Sequence, residues 1–383
     1  MKKQVGNVQL MQKINRLKVL NYIRENPSVS RLEITKNTGL SVATLTNITS
    51  YLLEKNLLVD DGIEEVNRVG RKTTLLRFNG NGYSLVCISV AENGIYMYHT
   101  NLCGTVIKKD FWPVEDRHAE VLCKCLTEFL QTMDCKHILG IGIFVSGIVL
   151  DEGKKVISVS IKWNEYDVID GLKSITDLPV FVDNVTQLKA VSHYWKQKDK
   201  NQRNSVFIDM ENGIGAAHFC EGELNRSFLG EIGHVTVEKE GEPCFCGNYG
   251  CLEVMCSAKR VLSLYEHKTG EKVSLSTLQK RAQSGDSAAN EVINECAEYL
   301  GMSLANLVNL LIPTEFVFDA GEFKNCPILI ERAFTSMKKR AYRSLVKDVQ
   351  ILEVSLTDEE LLKGMSTTMC NHIFDINFES DLF

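Results

Sequence analysis

No stretch of this 383-residue sequence reaches the ~18 consecutive apolar residues that a membrane-crossing helix needs. A secretory leader is not expected, because Met1-Lys2-Lys3-Gln4 runs into polar residues and no apolar core follows. The thirteen cysteines are odd in number. With no export signal they point to reduced thiols and metal sites rather than to a disulfide framework. The expected compartment is the cytoplasm. Disorder is not expected beyond the termini, since 44% of residues are hydrophobic and 24% charged, the proportions of an ordinary globular protein. A chain of this length should hold about two to three domains.

The net charge of -6 hides an asymmetry. Residues 1–80 hold 13 Lys and Arg against 7 Asp and Glu, a balance of +6, and the remainder carries -12. A small basic head on an acidic body is the electrostatic footprint expected of a nucleic-acid binder. Within the head, Leu10, Ile14, Leu17, Leu20 and Ile23 recur at helical spacing over residues 8–25, and Pro27 stops that helix. Ser30 with Glu33 three residues later forms a capping box for a short helix to about Asn37. Gly39 makes a turn, and Ser41 caps a helix to about Lys55 with Leu45, Ile48, Leu52 and Leu53 inward. Two short helices around a glycine turn predict a helix-turn-helix. The outer face of its second helix offers Ser41, Val42, Ala43, Thr44, Thr46 and Asn47, small or amide-bearing side chains suited to a major groove. Two strands then flank a basic loop, a wing in which Arg68, Arg71 and Lys72 beside Gly70 could reach phosphate. The plainer alternative is a protein-binding module with a solvated basic turn.

After Gly80 the texture changes. Strand-like runs at 85–90, 95–98, 138–145, 180–182, 206–208 and 316–318 alternate with helical stretches such as 117–132. That alternation predicts α/β layers. A glycine-rich strand exit at Glu211-Asn212-Gly213-Ile214-Gly215 suggests a second related αβ half.

The sharpest chemical signal is His234 followed by Cys244, Cys246 and Cys251, with Gly247 and Gly250 supplying turns and Glu253 two residues beyond the last cysteine. Thiolate sulfur and imidazole nitrogen suit tetrahedral zinc. Against this stand a chance grouping of small buried hydrophobes, a disulfide, and Cys256 as a rival ligand.

The run Gly230-Glu231-Ile232-Gly233-His234, with Cys244-Phe245-Cys246-Gly247-Asn248-Tyr249-Gly250-Cys251-Leu252-Glu253 ten residues on, resembles the signature of the ROK family. That family groups bacterial repressors and sugar kinases on the actin-like, ribonuclease-H-like ATPase fold. The head and the Gly70-Arg71-Lys72 turn are similar to its repressor branch, where the third position is usually Pro. The likeness extends from about residue 10 to 365. It implies an α/β fold: an N-terminal winged helix-turn-helix over 1–80 and a two-lobed ROK domain. Its first lobe would span 81–200, its second, with the zinc motif, 201–365, and a C-terminal helix at 366–383 could return to the first lobe.

The resemblance also implies roles. In ROK sugar kinases the positions of Asn184, Glu231, His234 and Glu253 contact sugar hydroxyls, and His234 with the three cysteines holds the metal. Surface charges or metal-supporting partners are the plainer reading of the two glutamates. On the catalytic side the chain departs from the pattern. The Asp that serves kinases as general base is replaced by Val185, which cannot accept a proton. The first phosphate loop reads Ser89-Val90-Ala91-Glu92-Asn93 in place of Asp-x-Gly-Gly-Thr. The second has Glu211-Asn212 where Gly-Thr is usual, and Asp319-Ala320-Gly321 stands where Gly-Gly meets adenine. Ser160 stands near Trp163 where an Asn contact is usual. These losses together argue against phosphoryl transfer, so no catalytic residue is expected. The resemblance implies a bacterial transcription regulator, a repressor acting as a homodimer or higher assembly on operator DNA, with a sugar or sugar derivative as effector. The alternatives are an active kinase fused to a DNA-binding domain, a repressor answering to a protein partner, and a reversible zinc sensor.

Overall fold

The structure, a computed structural model, describes residues 2–64, 73–195, 204–379 and 382–383. The chain forms two compact units. One comprises residues 1–145, 167–183 and 359–383, the other residues 146–166 and 184–358. The expected head and most of the expected first lobe thus fall in one unit, and the chain enters the other at Ser146 and again at Asn184.

The first unit begins with α1 (Lys2–Glu25), β1 (Val29–Ser30), α2 (Arg31–Thr38) and α3 (Val42–Glu54), followed by β2 (Leu58–Glu64) and β3 (Thr73–Phe78) in a sheet of order β1-β3-β2. The Ser30 hydroxyl accepts from the Glu33 N–H, and the Glu33 carboxylate accepts from the Ser30 N–H at 2.8 Å, so the expected capping box is present. Such a cap stabilises a helix by about 1 kcal/mol. Gly39 takes the left-handed conformation at φ 71° and its N–H reaches the Thr35 carbonyl, closing α2 at little steric cost. Helix α3 buries Leu45, Ile48, Thr49 and Leu52, with Leu53 half-buried. Helix α1 is longer than its sequence pattern suggested. Leu17, Val19, Leu20 and Ile23 are buried, but Leu10 and Ile14, expected inward, are 49% and 38% exposed. The reason is length. At 1.5 Å per residue, the 8 and 13 residues of α2 and α3 cannot cover a 24-residue helix from end to end.

The rest of this unit is a five-stranded sheet of order β11-β7-β4-β5-β6. Its strands are β4 (Ser84–Ala91), β5 (Gly94–Asn101), β6 (Val106–Trp112), β7 (Ile138–Val145) and β11 (Val180–Asn184), with α4 (Ala119–Leu130) and α5 (Val168–Leu172) between them. The closing helix, α12 (Asp358–Ile373), lies so near β7 that a Cβ on Gly142 would meet the sulfurs of Met369 and Met365 at 2.5 and 2.7 Å. Beyond α12 the chain meets the head. Lys13 Nζ donates to the Phe378 carbonyl at 2.6 Å, and the Tyr51 hydroxyl donates to the Leu382 carbonyl at 2.8 Å.

The second unit contains a small sheet, β10-β9-β8, formed by β8 (Ile148–Leu150), β9 (Lys155–Ser158) and β10 (Trp163–Tyr166). Its main sheet has order β14-β13-β12-β15-β16, from β12 (Asn204–Asp209), β13 (Gly215–Cys220), β14 (Glu223–Leu224), β15 (Glu315–Asp319) and β16 (Gln350–Val354). Alternating side chains bury both faces. Phe207 and Val317 pack with α6 (Val185–Tyr194). Val206, Ile208, Phe316 and Phe318 join the larger core. That core includes α7 (Leu252–Met255), α8 (Ala258–Thr269), α9 (Leu275–Gln283), α10 (Ser287–Leu311) and α11 (Pro327–Arg340). Two covered faces explain why these strands read as continuous apolar runs. Among the described residues no helix is long and apolar enough to cross a membrane.

Candidate functional site

His234 ends a single turn of 3-10 helix, Ile232–His234, whose preceding residue is Glu231. The loop that follows is pinned by bridges pairing Thr236 with Cys251 and Pro243 with Tyr249, and Cys251 precedes the first residue of α7. These constraints gather the four expected ligands. Cys246 Sγ lies 3.7 Å from Cys251 Sγ, and Cys244 Sγ lies 3.7 Å from His234 Nδ1. One donor atom from each of the four lies within 4.8 Å of the others. A tetrahedral ion with sulfur at about 2.3 Å requires ligand separations of roughly 3.8 Å, close to the 3.7 Å of the Cys246–Cys251 and Cys244–His234 pairs. Burial pushes the Cys251 thiol up to about 12 and raises that of Cys244. A cation among them would reverse that preference by stabilising thiolate. Cys256, the rival ligand, is fully buried in the apolar core and stands outside the group.

The cluster uses Nδ1 of His234 and leaves Nε2 facing Glu231, 3.9 Å from its Oε2. Burial raises the Glu231 carboxyl above its ordinary range; the His234 ring lowers it and the charge of Glu253 raises it further. Glu253, in the first turn of α7, accepts a hydrogen bond from the Ile214 N–H at 3.1 Å. A Cβ at either Gly213 or Gly233 would come within 2.9 Å of its Oε2, so both glycines leave room for that carboxylate. Three of the four residues expected to meet sugar are thereby gathered at one strand exit. The fourth, Asn184, caps α6. Its Oδ1 accepts from the Thr186 and Gln187 N–H groups at 2.8 and 3.1 Å, and its Nδ2 donates to the Gly147 carbonyl at 2.6 Å. Trp163 is 2% exposed, and its Nε1 finds no hydrogen-bond acceptor among the described residues.

The positions that depart from the kinase pattern are also placed. Val185 opens α6. Ala91 pairs with Gly94 across a tight turn at Glu92-Asn93, and the Arg117 guanidinium binds the Ala91 carbonyl at 2.7 Å and that of Glu92. One cluster escaped the reading of the sequence. Lys189 of α6, 5% exposed, places Nζ 2.9 Å from Asp209, 2.6 Å from Glu211 and 3.1 Å from Asp319. Asp209 and Asp319 are register partners at the ends of the parallel strands β12 and β15. The repeated pattern Val-Phe-Ile-Asp and Phe-Val-Phe-Asp was the signal that could have exposed the pair.

On the head, Ser41, Val42, Ala43, Thr46 and Asn47 are exposed and Thr44 is half-buried. Ser41 Oγ accepts from the Thr44 N–H at 3.2 Å, so it caps α3. Arg68, Arg71 and Lys72 lie outside the described residues.

Comparisons with known proteins agree with this architecture. A family model described as the ROK family matches residues 95–371, and a winged helix-turn-helix DNA-binding model matches residues 13–59. The chain is 26% identical over 382 residues to the xylose repressor of Bacillus subtilis strain 168, covering 97% of this chain and 99% of that one. It is 25% identical over 364 residues to the DNA-binding transcriptional dual regulator NagC of Escherichia coli K12, covering 89% of each. Its fold is that of a solved ROK family transcriptional regulator homologous to the E. coli MLC protein, with TM-score 0.77, 23% identity, and 93% and 95% of the two chains covered. A Streptomyces griseus ROK glucokinase, solved with glucose and AMPPNP, superposes with TM-score 0.57 at 20% identity, over 74% of this chain and 98% of that one. A winged head followed by a kinase-like α/β body carrying the Glu-x-x-His and Cys-x-Cys run places this chain in the ROK family.

Proposed function

We propose that this protein is a DNA-binding transcriptional repressor of carbohydrate uptake or catabolism genes, acting in the bacterial cytoplasm, whose kinase-like body binds a sugar and transfers no phosphate. The observation that carries the reading is the capped helix-turn-helix with its exposed Val42, Ala43, Thr46 and Asn47, joined to a body that keeps Glu231, His234 and Glu253 together. Ser41 and Thr44 start the recognition helix. Two heads of a homodimer match a palindromic operator, because half-site symmetry mirrors protein symmetry.

His234, Cys244, Cys246 and Cys251 hold a structural zinc ion. Bound at His234 Nδ1, the metal fixes Nε2 as an N–H donor and so orients the ring. Carboxylates of Glu231 and Glu253 accept from vicinal hydroxyls. Asn184, whose Oδ1 caps α6 and whose Nδ2 donates to the Gly147 carbonyl, is the fourth candidate contact. The body lacks the parts of a phosphoryl-transfer site. Val185 cannot act as base, and the loops that correspond to the nucleotide site carry Glu92, Glu211 and Asp319, which oppose a polyphosphate.

A sugar regulates only if it binds the DNA-competent and incompetent states with different affinity. Gel shifts with the DNA flanking this gene, run against a panel of sugars and sugar phosphates, test this. The expected result is that one sugar changes operator affinity and that Glu231→Ala abolishes the change while binding to DNA persists. A panel without effect, or a Glu231→Ala protein that responds normally, would overturn the sugar reading in favour of control by a protein partner.

A further inference from the structure

Where the overhanging α1 passes α3, the two helices leave a cavity of about 190 Å³ lined by Gln12, Asn15, Arg16, Thr44, Asn47 and Ile48. Five of these six are polar or charged, and Thr44 and Asn47 belong to the recognition helix. The Arg16 guanidinium lies over the Tyr51 ring, 3.6 Å from its centroid. That ring is itself held, because its hydroxyl donates to the Leu382 carbonyl. A guanidinium stacked on a fixed ring keeps its plane while its edge N–H groups remain available. Among the described residues no carboxylate lies within ion-pair distance of Arg16. The neighbouring cations of α1 are engaged: Lys13 with the Phe378 carbonyl and Lys18 with the Thr38 carbonyl.

We infer that α1 is part of the DNA-binding surface, with Arg16 taking a backbone phosphate beside the recognition helix and the amides of Gln12 and Asn15 completing the clamp. This deepens the DNA-binding reading and rests on it. The chemistry favours phosphate over a base edge. A guanidinium fork and two amide donors suit phosphate oxygens, and a contact made from α1, outside the helix that reads bases, fixes register without reading sequence.

The test uses the full-length protein, a duplex selected by the wild type from a random library, and a scrambled duplex, with Kd measured across a salt series. Arg16→Gln is expected to weaken both duplexes about fivefold, to leave their ratio unchanged, and to make the slope of log affinity against log salt shallower by about 0.9. Asn47→Ala, by contrast, should reduce the ratio and keep the slope. Unchanged affinity and slope in a folded Arg16→Gln protein would overturn the inference while leaving the DNA-binding reading intact. A wild type that retains no duplex would overturn both. Should Arg16→Gln melt below the assay temperature, the double variant Gln12→Ala, Asn15→Ala reads the same surface without touching the stack. A loss of a few fold on both duplexes then supports the inference, and no loss overturns it.

Discussion

Lys189 shows how one buried cation can organise several carboxylates. Burial alone would lower the pKa of its ammonium, but Asp209, Glu211 and Asp319 outweigh that cost and hold it above the ordinary lysine range. One cation cannot serve three anions. Burial therefore still pushes the Asp319 carboxyl upward, with Lys189 opposing and the charges of Asp209 and Glu211 adding to the rise. Because its folded pKa is raised, Lys189 contributes its stability in full below about pH 10.4 and loses it as pH climbs beyond. Lys189→Met should cost about 3–5 kcal/mol at neutral pH, since it strands buried carboxylates. Part of that loss should return as pH falls, because burial already raises the Asp319 carboxyl and protonation relieves its stranded charge. Melting curves from acid to neutral pH check this, and a variant as stable as wild type at pH 7 would refute it. Both aspartates were readable as strand ends; their lysine partner was not, because only the strand register and the path of α6 bring the three together.

Elements differ in how far local sequence specifies them. The start of α2 and the turn at Gly39 were readable because their causes are local: a capping box satisfies N–H groups within four residues, and glycine accepts a positive φ. The depth of α1 was not readable from its spacing. Leu10 and Ile14 keep the helical period, but the helices they would pack against end too soon. The cysteine loop lies between these cases. Its residue types are those of a metal site, and its bridges and glycines bring the four donors within 4.8 Å of one another. Purified protein is expected to carry about one zinc per chain. Cys246→Ser should lose the metal, lower the melting temperature and abolish the sugar response, and binding should weaken as pH falls because thiolate is the ligand form. Native mass spectrometry and thermal melts measure these effects. A metal-free wild type that melts no differently with a strong chelator would sink the zinc assignment.

For the whole molecule, the departures from the kinase pattern are distributed. Base, loop glycines and local charge are altered at Val185, Ala91, Glu92 and Glu211, and the Lys189 cluster adds a built-in ion network. Val185→Asp alone should therefore leave ATP consumption at background with every sugar that binds, because one restored base cannot replace missing phosphate contacts. Turnover by that variant would show a dormant kinase, and turnover by the wild type would overturn the repressor reading. The family, the winged head and the Cys/His cluster were legible in the residues, because each rests on short-range spacing and side-chain chemistry. Three features depended on the folded chain. These are the seating of Glu253 against Gly213 and Gly233, the convergence of Lys189 with two strand ends, and the cavity between α1 and α3. Each joins residues distant in sequence, and no local periodicity encodes a distance that only packing sets.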